Sequence, residues 1–151
     1  TTPSTPGTPT TPTNPDVFLG DIAIDKLLPS AMPGFRMGAK QVMGSDGTII
    51  GGPTGTESGA KSISWEVHDL KSEKDAQAFV DNLAASLYAD NEATVNVREA
   101  TAKFGTYGTR LAAVRFRRGR YAYEVVVTPV GAAADTKTLA VQAAVAFPAT
   151  P

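Results

Sequence analysis

Cysteine is absent from the 151 residues, which excludes disulfides, thiolate nucleophiles and cysteine-ligated metal sites. Absence of cysteine is also compatible with an envelope protein whose domain is large enough to need no bridges. Histidine occurs once, at His68, so a multi-histidine metal centre cannot be built. Glu66 shares a strand face with His68, giving two ligands where three or four are usual, and a solvated strand histidine is the simpler reading. A Ser/His/Asp hydrolase would have to use the same imidazole, yet Asp69 follows it directly and points to the opposite face of a strand. No Gly-x-Ser-x-Gly elbow is present. No apolar run approaches the roughly 18 residues that would span a bilayer. No cofactor or metal is therefore expected, and no catalytic residue is assigned.

Aliphatic and aromatic side chains are also missing before Val17. In their place stand Pro3, Pro6, Pro9, Pro12 and Pro15, a strict period of three set mostly among threonines. Polyproline II has three residues per turn, so the five rings fall on one ridge of an extended rod. Such a segment cannot bury enough surface to offset its ordering entropy. Residues 1–15 are thus expected to form a stalk, 16–34 a docking segment rich in Val17, Phe18, Leu19, Ile22, Ile24, Leu27 and Leu28, and 35–151 a single α+β domain. Thr/Pro-rich stalks are a habit of surface proteins, and the chain is expected to be the mature part of an exported precursor, tethered through the stalk to the cell envelope.

Alternation of apolar and polar residues marks the strands. Ile63, Trp65 and Val67 alternate with Ser64, Glu66 and His68, the clearest such pattern in the chain. Phe35, Met37 and Ala39 alternate likewise, and Ser45-Asp46-Gly47 supplies a hairpin turn. Residues 51–59 are glycine-rich and read as a surface loop, because they lead into a strand and carry no Lys-Ser/Thr pair for phosphate. Ser72 to Asp75 reads as a capping box, followed by Ala76, Phe79, Val80, Leu83 and Leu87 at helical spacing over about four turns. Three strands are expected next: 93–104, 110–118 and 121–128. A closing helix is expected from Thr136 to Phe147 behind a cap at Asp135 and before Pro148. This order predicts an antiparallel sheet of five or six strands with both helices on one face, the stripe of the first helix packing on Ile63, Trp65 and Val67.

The segments Leu27-Leu28-Pro29 with Pro33-Gly34-Phe35, Ile63 to Leu70 leading into Ser72-Glu-Lys-Asp75-Ala76, and Phe116-Arg-Arg-Gly119-Arg-Tyr121-Ala-Tyr123-Glu-Val125 resemble exported bacterial lipoproteins of unassigned function. The likeness lies in the order of elements. It implies an extracytoplasmic location and transfers no catalytic residue.

Fourteen cations against fifteen acids leave a net charge of −1, which argues against wholesale polyanion binding. The distribution is uneven, however, with Lys103, Arg110, Arg115, Arg117, Arg118 and Arg120 uninterrupted by any acid. Arg110, Arg115, Arg117, Arg118 and Arg120 are the candidate binding residues, a patch for a protein or an anionic envelope component; a solvated face is the plainer reading. Nucleic acid is not expected, because Tyr107, Tyr121 and Tyr123 suit the core or its rim better than a stacking platform. Glu66, Glu99 and Glu124 sit on separate strands, and a carboxylate-based hydrolase would require two of them to converge. The favoured function is a non-catalytic exported accessory or interaction domain. The alternatives are an ordered subunit of a larger envelope or membrane assembly, and that hydrolase.

Overall fold

The computed structural model describes residues 18–43, 49–51, 54–56, 62–128 and 133–149. The stalk, the Ser45-Asp46-Gly47 turn and much of the 51–59 loop lie outside the described residues. Among these residues, eleven strands and two α-helices follow in order: β1 (Phe18–Leu19), β2 (Ile22–Ala23), β3 (Arg36–Met37), β4 (Gln41–Met43), β5 (Ile49–Gly51), β6 (Thr54–Thr56), β7 (Ser62–Asp69), α1 (Glu73–Asp81), β8 (Asp90–Val97), β9 (Ala100–Tyr107), β10 (Leu111–Arg118), β11 (Tyr121–Thr128) and α2 (Ala133–Val145). The class is α+β, as the strand-rich order predicts.

Five eight-residue strands form the body of one antiparallel sheet in the order β7-β11-β10-β9-β8. The short strands β5 and β6 share the outer edge of β7, and β4 and β3 pair with them in turn. β1 and β2 make a separate two-stranded ribbon. Among the described residues no helix is long and apolar enough to cross a membrane.

Residues predicted as the single strand 93–104 form two strands instead, folded back on each other at Arg98-Glu99. Arg98 takes φ of +54° there, a conformation that sequence punctuation normally assigns to glycine or asparagine, so nothing in the sequence announces the reversal. The first helix is also shorter than predicted. Ser72 caps it, its Oγ accepting from the Asp75 backbone N–H at 3.0 Å. After Asp81 the chain runs through successive turns, with Leu87 at φ +120°, and then descends onto the sheet. It can come that close only because residue 105 is glycine: a Cβ there would collide with the Tyr88 carbonyl. Asp135 lies inside the first turn of α2 and is not its cap.

The placement of both helices on one sheet face is corrected by the register. Ile63, Trp65 and Val67, Tyr123 and Val125, Val114 and Phe116, and Phe104 share one face, which α2 and residues 19–32 cover. Trp65 Nε1 donates to the Ala143 carbonyl of α2 at 2.8 Å, and Phe147 sits edge-on to both Phe116 and Tyr123. The opposite face carries Glu66, His68, Glu124, Ala113 and Arg115, and α1 lies over it, Phe79 against His68 and Arg115. The stripe of α1 therefore packs on the polar side of β7, not on Trp65. Coverage from both sides explains why Ala112 through Phe116 and Tyr121 through Val125 are buried without alternation.

Leu19, Ile24, Leu27 and Leu28 are fully or almost fully buried in the main core. A polar clasp holds this segment. Tyr121 Oη donates to the Leu19 carbonyl at 3.3 Å and accepts from the Asp21 N–H, while Arg120 Nε meets the buried Asp69 at 3.0 Å. Gly20 passes over the clasp at φ +59°, and a Cβ would meet Tyr121, Arg120 and Asp69. Gly20→Ala combines that collision with left-handed strain, so a loss of more than about 1 kcal/mol is expected. Urea denaturation checks it; Gly119→Ala, at φ +58° with open space around it, isolates the strain alone.

Candidate functional site

Alternation on β7, β9, β10 and β11 places charged residues on the α1 face, and the register lines them up. Lys103 is opposite Arg115, Arg115 opposite Glu124, and Glu124 opposite Glu66. The result is a row of two cations followed by two carboxylates across four adjacent strands. Sequence reading left Glu66 and Glu124 as isolated acids; the β7-β11 register makes them direct neighbours.

Arg115 and Glu124 are both buried, and Arg115 Nε donates to Glu124 Oε2 at 2.6 Å. Arg115 Nη1 also donates to the Phe79 carbonyl at 2.9 Å and to Ser86 Oγ, and the guanidinium lies 4.0 Å from the Phe79 ring centroid. Each contact answers part of the desolvation of a buried cation. At the other end, His68 Nε2 lies 3.3 Å from Glu66 Oε2. That hydrogen bond, against the opposing effect of burial, holds the Glu66 carboxyl below its usual range, helped by the charges of His68 and Arg115. Burial, and then the Glu124 carboxylate, push the Tyr88 phenol upward. His68 is thus no solvated strand residue: it is sandwiched between Glu66 and Phe79. Among the described residues, no group of three or more His, Cys, Asp and Glu is placed to hold a metal ion.

The five candidate arginines do not form one patch. Arg115 is buried under α1. Arg120 lies between Asp69 and Asp21, with Nη2 donating to Tyr121 Oη. Arg110 is exposed in the β9-β10 turn, and at about 3.4 Å per residue it stands roughly 25 Å from the far end of β10. Arg117 and Arg118 remain beside Gly119 at the hairpin tip, pointing to opposite faces. Arg117 donates to the neutral Gln77 side chain at 2.7 Å, and Arg118 donates to the Pro148 carbonyl at 2.6 Å while lying over the Phe116 and Tyr123 rings. Neither has an acidic partner among the ion pairs of the described residues. The intrinsic repulsion of the arginine run is relieved within the chain by Glu124, Asp69 and Asp21. Periodicity could have paired Arg115 with Glu124, since each sits on the less apolar face of its own hairpin strand.

No family model, curated protein or solved structure matches this chain.

Arg115→Ser leaves Glu124 buried without a partner and should destabilise the fold by about 3–5 kcal/mol. Arg117→Ser, at a half-exposed site, should change it by less than about 1 kcal/mol; urea midpoints of the two variants provide the comparison. Glu66 has a lowered folded-state pKa, so its contribution is present above the usual value of 4.5 and is lost as pH falls through the lowered one. Glu66→Gln should therefore flatten the acid limb of the stability profile measured between neutral pH and the carboxylate range.

Proposed function

We propose that this chain is a non-catalytic accessory domain of the cell envelope, exported, tethered through its Thr/Pro leader, and recognising a protein or an anionic envelope component. The observation that carries the reading is the hairpin tip, where Arg117 and Arg118, next to Gly119 and on opposite faces of the sheet, have no acidic partner among the described residues. Their neighbours Arg115 and Arg120 are each held by acids of the same chain. Fixed by Gln77, Pro148 and two aromatic rings, the two guanidinium groups are presented with little freedom left to lose on binding.

A period-three proline leader supports the same reading from the other end of the molecule, because a stiff rod holds a recognition surface away from its attachment. The ionisable groups beneath α1 serve the domain as internal pairs, consistent with a binding role for what is left outside.

The Glu66–Glu124 register favours a second reading, a carboxylate-based hydrolase, since directly opposed strand residues have Cβ atoms about 5 Å apart. Against it, Glu124 is committed to Arg115 at 2.6 Å.

In the first reading, Arg117→Ser/Arg118→Ser keeps the fold but loses most of the retention that the parent shows on an isolated envelope fraction at low salt, and parent binding declines steeply as salt rises. Equal retention of parent and double variant removes the hairpin from the proposal. A hydrolytic activity abolished by Glu66→Gln, with the fold intact, would carry the second reading instead.

A further inference from the structure

The two edges of the large sheet are unlike. At the β7 side the edge is broken into β3, β4, β5 and β6, each two or three residues long. Fragmentation of that kind blunts a sheet edge against further pairing. At the other side β8 runs for eight residues, and among the described residues it pairs with β9 alone. Its side chains are mostly exposed or half-exposed, with Val97 buried. A bulge lies between Asp90 and Ala93, so the regular ladder covers residues 93–97, a stretch without charge.

Charge flanks that stretch asymmetrically. Glu92 precedes it and Arg98 follows it, both exposed. Arg98 uses one donor on the Val145 carbonyl, at 2.8 Å, and has others free; Asp90 is turned onto the Gly108 N–H at 3.1 Å.

We infer that β8 is a self-association edge, pairing antiparallel with β8 of a second copy about a two-fold axis at Val95. In that register Glu92 stands opposite Arg98 of the copy at both ends of the seam. Ala93 meets Val97, Val95 meets Val95 and Thr94 meets Asn96, so apolar residues align on one face and polar residues on the other. Val95 and Val97 lie on the α2 side, because Val95 is opposite Ala102 of β9 and Val97 opposite Ala100. The pairing thereby extends the core-facing side of the sheet from one copy into the next. A slip of one residue sets Glu92 against Val97 and Ala93 against Asn96, which breaks both matches. A two-fold seam is closed, so association stops at the dimer. The surface differs from the hairpin tip, and the inference does not depend on the proposed function.

Sedimentation equilibrium of the full chain, Arg98→Glu, Glu92→Lys and their equimolar mixture tests this. The parent should dimerise reversibly with rising concentration. Each variant places like charges at both ends of the seam, and its dissociation constant should rise roughly tenfold or more. The mixture should recover parent-like association, since every acid then faces a cation. Backbone amide exchange at residues 93–97 should slow as parent concentration rises, a readout that requires no variant. A parent that stays monomeric at millimolar concentration overturns the inference. So does unchanged association of both variants, a mixture no tighter than either, or unchanged amide exchange.

Discussion

Burial of both faces of the β10-β11 hairpin is the constraint on which the rest of the structure depends. With α2 and the N-terminal segment on one side and α1 on the other, a charged residue anywhere along the middle of these strands is removed from water. An isolated charge in that position would be prohibitive, so Arg115 and Glu124 must meet, and the antiparallel register makes them meet directly. The pair in turn positions α1. Arg115 reaches the carbonyl and ring of Phe79 and the hydroxyl of Ser86, which ties the C-terminal end of the helix and the turns beyond it to the sheet. A hydrophobic pair of equal size would pack as well, but it would not hold those turns by directional bonds.

A second polar anchor works at the end of the same hairpin. Asp69, buried at the end of β7, accepts from Lys71 and Arg120, and Tyr121 and Arg120 then close over the ribbon formed by β1 and β2. Leu19, buried immediately beneath this clasp, is where the chain following the proline-rich leader enters the core.

The elements that could be read from the chain were those whose pattern is local. Strict alternation in residues 63–67 located β7, the Ser72 side chain located the start of α1, and the tyrosine-valine alternation after Gly119 located β11. The Arg98 reversal was not legible, because a non-glycine residue at positive φ leaves no sequence mark. Nor was the early end of α1, since Leu83 and Leu87 continue a helical spacing that the turns around Leu87 do not follow. In the candidate site, the clustering of arginines was legible, but their separation was not: Arg115 and Arg118 are three residues apart in sequence, yet one bonds to the Phe79 carbonyl of α1 and the other, on the opposite face, to the Pro148 carbonyl beyond α2.

Composition and spacing by themselves determined the class: an α+β chain with an antiparallel sheet. They also determined which residues alternate, hence that Arg115 and Arg117 share a face that Phe116 does not. Only the tertiary structure decided what covers each face. A strand pattern of period two distinguishes two sides but does not say which side a helix will take, and here each side takes one. That choice turned Glu66, His68, Arg115 and Glu124 from apparent surface charges into an internal row. The physical reason is that cross-strand register and helix placement are set by long-range burial, which no local spacing encodes.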